Sequence, residues 1–252
     1  MQARIDPDTF LDALTPVSTL VDECKMHLTD DGIEIRAVDP ANVGMVDLDI
    51  GVRAFEKYDA NGSTIGVNLN QLMDQVKSIS NQPMDEVMLT LALDDETRKL
   101  SLSGGAMEFK LALIDPESIR DEPDLPELDL PAEAVLEADW LTQGINAANM
   151  LSDHMTFGVN KDDRELYMRA EGDTDDWDLS LNDRDEGLID ISSGAAHSVF
   201  AVDYLNDMKK AMPDDAEVTM QLGEEFPVKM FFSLADGHVD TQYMLAPRVQ
   251  SD

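Results

Sequence analysis

The segment IEIRA at 33–37 returns as LYMRA at 166–170, and this repeat constrains the fold more than any other feature of the chain. The same offset of 133 positions lays VNLNQLMDQVKS (67–78) on FAVDYLNDMKKA (200–211). It sets Leu69 on Val202, Leu72 on Leu205 and Lys77 on Lys210. An offset of 131 sets Phe10 on Leu141 and Leu14 on Ile145. Order, spacing and periodicity agree together, so the chain reads as two copies of one unit of helix, strands, helix, strands.

Helical spacing supports that reading at four places: Phe10, Leu11, Leu14, Val17, Leu20, Val21; Leu69, Leu72, Met73, Val76; Leu141, Ile145, Ala148, Leu151; and Val202, Leu205, Met208, Met212. Steps of three and four give each helix one buried face. Pro16 lacks a backbone donor and is expected to kink or interrupt the first helix. Elsewhere apolar residues alternate with a period of two, as at Ile33 to Ala37, Val87 to Leu93, Met107 to Leu113, Leu166 to Ala170, Trp177 to Leu181, Val228 to Leu234 and Val239 to Leu245. Such segments are antiparallel strands with one wet face. DDET (94–97) and Asp236-Gly237 supply tight turns. The fold class is α+β: a first domain at 1–116, a connecting loop at 117–131 and a second domain at 132–252.

The joining stretch RDEPDLPELDLPAEA (120–134) is stiffened by three prolines, yet it carries Leu125, Leu128 and Leu130 among its acids. A passive spacer has no need of those leucines, which raises the question of whether the stretch is also a working surface.

Charge reports the solvent before it reports a ligand. The 53 acidic against 18 basic residues leave a net charge of -35, which strains a compact fold by self-repulsion. Molar salt shortens the screening length to about 3 Å and removes that strain. Acid spread over every surface segment therefore points to a salt-filled cytoplasm. The single cysteine, Cys24, sits in an alternating run where a buried structural thiol is expected. The amino terminus shows no apolar signal core, and no stretch approaches the roughly 20 apolar residues that span a membrane. A cytoplasmic protein with no membrane partner is expected.

No catalytic centre is proposed by the sequence. A phosphate-binding glycine loop is missing, SGGAM (103–107) reads only as a turn before a strand, and the four histidines lack ligand spacing. EGDTDDWD (171–178) resembles a calcium loop superficially, but Trp177 falls where the third acidic ligand belongs, so a solvated hairpin edge is the better reading. No cofactor and no metal are expected, and a binding or scaffold protein is favoured over an enzyme such as a hydrolase.

DDGIEIRAVDPANVGMVDLDI (30–50), GVNLNQLMDQVKSI (66–79) and YMLAPRV (243–249) together resemble the proliferating cell nuclear antigen family, the sliding DNA clamps, over essentially the whole chain. The acidic composition and the LAPRV ending suggest an archaeal member from a halophile. The resemblance implies a non-catalytic homotrimer, closed head to tail around duplex DNA, with helices lining the hole. It implies sequence-independent, topological hold on DNA and a nucleoid-associated place in the cell. It also implies partners bearing short peptide motifs: DNA polymerase, clamp loader, flap endonuclease and DNA ligase. An acidic scaffold that never encircles DNA is the alternative.

Residue by residue, the resemblance places the subunit edges at Met107, Phe109, Lys110, Leu111 and Leu113 and at Trp177, Leu179 and Leu181. Its DNA-facing cations fall on Lys77 in the second helix and on Lys209 and Lys210 in the fourth. Asp12, Gln143, Asn146 and Asp203 stand where relatives tend to be basic. Its partner-peptide pocket falls on Val38, Val43, Met45, Leu125, Ala201, Pro227, Met244, Ala246, Pro247 and Val249, with Ala201 near the glutamine end of the peptide.

Overall fold

The structure is a computed structural model that describes residues 1–60, 62–84, 86–94, 96–122, 128–192 and 194–248. The chain forms two compact units. Met1–Pro40, Val46–Pro123 and Ser233–Thr241 make up the first, and Ala41–Met45, Asp124–Phe232 and Gln242–Asp252 the second.

The first unit contains β1 (Gln2–Ile5), α1 (Pro7–Ser18), β2 (Glu23–Leu28), β3 (Gly32–Val38), β4 (Gly44–Gly51), β5 (Lys57–Asp59), β6 (Ser63–Asn68), α2 (Leu69–Ser80), β7 (Leu89–Asp94), β8 (Lys99–Gly104) and β9 (Met107–Ala112). One sheet runs β5-β1-β7-β8-β9, and β4, β3, β2 and β6 follow one another in a second. All the paired strands whose register is known are antiparallel, as the period-two pattern required.

Local chemistry sets the helix bounds. Asp6 caps α1 by accepting from Thr9 N at 2.8 Å, and Pro7 occupies the first turn, where a missing N–H costs nothing. Asn68 caps α2 by accepting from Gln71 N at 2.9 Å. Phe10, Leu11, Leu14 and Val17 of α1, and Leu69, Leu72, Val76 and Ile79 of α2, form the buried faces. Pro16 does not interrupt α1, contrary to one expectation. It sits in the last turn, and Thr19 N still reaches Thr15 O at 3.2 Å. The helix ends at Ser18, so Leu20 and Val21 lie beyond the face they were expected to extend. Val87 likewise precedes its strand: Glu86 is left-handed (φ 53), and β7 begins at Leu89.

The second unit contains β10 (Ala132–Glu137), α3 (Ala138–Asn149), β11 (His154–Asn160), β12 (Glu165–Glu171), β13 (Asp176–Asn182), β14 (Leu188–Ile191), β15 (Ala196–Ala201), α4 (Val202–Met208), β16 (Glu217–Leu222) and β17 (Val228–Leu234), followed by β18 (Val239–Leu245). One sheet runs β13-β12-β11-β15, and β14, β10, β16 and β17 are successive neighbours in another. Phe157 and Phe200, on the neighbouring strands β11 and β15, are fully buried, with ring centroids 5.5 Å apart. Each contributes on the order of 1.5–3 kcal/mol by leaving water.

The repeat survives into three dimensions. β3 and β12 keep the offset of 133, and α1 and α3 that of 131. α4 departs from its counterpart α2: it stops at Met208, and Lys209–Ala211 continue as a single 3-10 turn. Pro213 explains the stop, because it drives Met212 into an extended conformation (φ -93, ψ 118). EGDTDDWD forms the β12–β13 hairpin, closed by Gly172 N donating to Asp175 O at 2.9 Å.

Candidate subunit-edge, DNA-facing and docking surfaces

Each unit presents one candidate edge strand. β9 is the last strand of its sheet and pairs with β8 through Leu100↔Leu111, Leu102↔Phe109 and Gly104↔Met107. Leu111 points into the core at 2% exposure, while Met107 is 39% exposed. Leu113 lies just past the strand, its N–H donating to Arg98 O at 3.2 Å. Lys110 makes an exposed ion pair of 3.7 Å with Glu108. In the second unit β13 is the outer strand, with Leu166↔Leu181, Met168↔Leu179 and Ala170↔Trp177 in register with β12. Leu181 is buried, Leu179 and Trp177 are half-buried, and the Trp177 ring rests against Gly144 of α3. Both edges thus offer a row of backbone donors and acceptors flanked by apolar side chains.

The three expected DNA-facing cations differ in setting. Lys77 is exposed in the last turn of α2. Lys209 and Lys210 lie in the 3-10 turn after α4 and not in the helix itself, which corrects the sequence expectation. Lys210 donates to Asp207 Oδ1 at 2.6 Å, and Lys209 donates to the amide oxygen of Asn146 on α3. Burial, and then the neighbouring Lys210, lower the Lys209 pKa from its ordinary value. On α1, burial together with Asp8 and Asp6 pushes the Asp12 carboxyl upward, while Asp8 accepts from Ser80 Oγ of α2 at 2.6 Å.

Most of the expected docking residues fall in the second unit. Ala246 N donates to Val43 O at 2.9 Å, and Arg248 N to Val199 O at 2.7 Å, so backbone bonds fix the segment carrying Ala246 and Pro247. Met45 and Met244 are each 8% exposed, whereas Val43, Ala201, Pro227, Ala246 and Pro247 are half-buried. Leu125 and Val249 lie outside the described residues. Val38 belongs to the first unit, half-buried at the end of β3, where it lines a cavity of about 490 Å³ with Cys24, Ile119 and Arg120.

One residue was not singled out by sequence. Phe226 is 45% exposed beside Pro227, and its N–H donates to Ser198 Oγ at 3.1 Å. Gly223 lies against both Phe226 and Leu130 of the joining stretch: a Cβ there would lie 3.2 Å from Leu130 Cδ2 and 3.3 Å from Phe226 Cδ2. Residue type alone does not separate an exposed phenylalanine from a core one, so only the position after three turn residues, GEE, hinted at it.

The root of the connecting stretch is tied to the first unit. Lys25 pairs with Asp121 at 3.4 Å, His27 Nε2 lies 2.5 Å from Glu122 Oε1, and Arg120 donates to Asp39 O at 2.9 Å. Cys24 beside them is 1% exposed, and burial, then Glu122 and Glu23, push its thiol up to about 12. A thiol held protonated is a packing group and not a nucleophile. Among the described residues no cluster of three His, Cys, Asp or Glu side chains is placed to hold a metal ion, and no helix is long and apolar enough to cross a membrane.

The two units also match two family models in order. Residues 2–108 match the N-terminal domain of proliferating cell nuclear antigen, and residues 131–248 match its C-terminal domain. The chain belongs to the proliferating cell nuclear antigen family. Within this family it is 54% identical to the DNA polymerase sliding clamp of Natronomonas pharaonis, over 100% of this chain and 99% of that one. It is also 54% identical to the DNA polymerase sliding clamp of Haloarcula marismortui, over 99% of each. A solved structure of the C-terminal region of FEN-1 bound to A. fulgidus PCNA superposes with a TM-score of 0.90 at 36% identity, covering 100% of this chain and 99% of that one. The expected family and fold are thereby borne out.

Proposed function

We propose that this chain is a DNA polymerase sliding clamp that acts without catalysis, as a closed ring of three copies around duplex DNA. The observation that carries this reading is the pair of edge strands, β9 on one unit and β13 on the other, each last in its sheet and each flanked by apolar side chains. Two different edges on one chain join head to tail, and such heterologous contacts make a ring when the rotation closes. Strand pairing across the joint uses the open backbone groups, and Met107, Phe109, Trp177 and Leu179 contribute apolar burial, whereas Leu111 and Leu181 already face the core of their own unit.

The hold on DNA is topological, which suits the depleted cations. Phosphate contacts gain affinity mainly by releasing counterions, a gain that fades steeply as salt rises. Lys77, Lys209 and Lys210 then supply weak, sequence-blind contacts during sliding. An exposed pair such as Lys210–Asp207 is worth only about 0–1 kcal/mol, so a passing phosphate competes for the lysine at low salt.

Docking of DNA polymerase, clamp loader, flap endonuclease and DNA ligase uses Val38, Val43, Met45, Ala201, Pro227, Met244, Ala246 and Pro247, completed by Leu125 and Val249. Apolar side chains here bury the aliphatic and aromatic anchors of a partner peptide, and a few anchors carry most of the energy. The full-length match to a clamp solved with the C-terminal region of FEN-1 supports a flap endonuclease among the partners. Light scattering in molar salt tests the assembly: a particle of three times the 27.9 kDa chain is expected, and a monomer contradicts it.

A further inference from the structure

The turn SGGAM (103–107) between β8 and β9 is clasped by a buried amide. Gln82 follows the C-terminus of α2 and is 8% exposed. Its Nε2 donates to Ile79 O at 3.0 Å and to Gly104 O at 2.9 Å, and its Oε1 accepts from Ala106 N at 2.9 Å. Both amide hydrogens and the carbonyl oxygen are therefore used, which fixes the group in one orientation. The two glycines fit this clasp. Gly105 is left-handed (φ +56), and a Cβ there would lie 2.8 Å from Gln82 Oε1; a Cβ on Gly104 would lie 2.6 Å from Ile79 Cγ2.

The clasp joins two working elements of the first unit. On one side is the last turn of α2, where Asn81 N donates to the carbonyl of Lys77 at 3.0 Å. On the other is the β8–β9 turn, from which β9 departs at Met107. Met84 and Met107, two of the large apolar side chains left exposed, at 54% and 39%, stand within two residues of its bonded groups. An exposed apolar corner beside an open strand edge is the mark of a contact surface.

We infer that Gln82 is a positioning residue for ring closure: its amide sets the course of β9 relative to α2 and thereby the strength of the subunit joint. The inference rests on the reading of β9 as a subunit edge. Gln82→Met keeps length and volume but removes all three hydrogen bonds, freeing the turn that launches the strand.

The test is a dilution series in molar salt, read by light scattering, for the wild type, Gln82→Met, Gly105→Ala, Phe109→Glu and Thr29→Val. Gln82→Met is expected to raise the concentration at which half the rings dissociate by about tenfold or more. Gly105→Ala crowds the same clasp and moves it in the same direction, and it serves if Gln82→Met does not fold. Thr29→Val removes a turn hydrogen bond of 3.1 Å to Gly32 O between β2 and β3, in the sheet that does not contain β9, and should leave dissociation unchanged. Phe109→Glu places a charge on the edge itself and should abolish rings. Dissociation by Phe109→Glu with wild-type behaviour of Gln82→Met and Gly105→Ala overturns the inference while leaving ring assembly intact. Rings that survive Phe109→Glu overturn the reading of β9 as an edge, and the inference with it.

Discussion

Lys210 donates to Asp207 Oδ1 at 2.6 Å, so one of the three cations proposed to face DNA already has a carboxylate partner three residues earlier in the chain. Asp207→Asn removes that competitor. Affinity for a short linear duplex should rise severalfold at low salt and return to the wild-type value in molar salt, where the screening length is about 3 Å. Fluorescence anisotropy against salt concentration reads both limbs. A gain that persists in molar salt contradicts an electrostatic origin.

Phe226 offers a sharper probe of docking than the buried methionines. It is 45% exposed, and its truncation to alanine should change stability by no more than about 0.5 kcal/mol. Met45 and Met244, at 8% exposure, confuse binding with folding when removed, because emptying a core site costs about 2–5 kcal/mol. Phe226→Ala should weaken a labelled partner peptide by about tenfold, the loss typical of an anchor in a docking surface. Unchanged peptide affinity places Phe226 outside that surface.

Repeat and periodicity made the architecture legible: β3 and β12, and α1 and α3, stand at the offsets of the matching segments. Helix ends were less legible, because they depend on single residues acting at a distance along the chain. Pro16 was tolerated in a last turn, and Pro213 shortened α4 from beyond its end. The candidate surfaces divide in the same way. Edge strands follow from topology once the family is recognised, but exposure does not follow from residue type. Phe226 therefore went unnoticed, and the Gln82 clasp joins residues 24 positions apart that share no periodicity.

Asp12 gives a pH prediction with a definite sign. Burial, reinforced by Asp8 and Asp6, raises its folded-state pKa. The folded chain thus binds this proton more tightly than the unfolded chain, and the ionised carboxylate destabilises the fold above its raised pKa. Asp12→Asn should stabilise the protein at pH 7 in low salt by roughly 0.5 kcal/mol, allowing for screening of an exposed group. The advantage should shrink as the pH falls through the carboxylate range and as salt screens Asp8 and Asp6. Denaturant unfolding at pH 7 and pH 4 checks it, and an advantage that grows at the lower pH contradicts the sign.

Topological hold on DNA is tested most directly by loading the protein onto nicked circular duplex in molar salt and then linearising the circle. Retention on the circle, with release as soon as an end is cut, is the predicted result. Equal retention before and after cutting, or no retention on the circle in the presence of its loader, contradicts a closed ring around DNA.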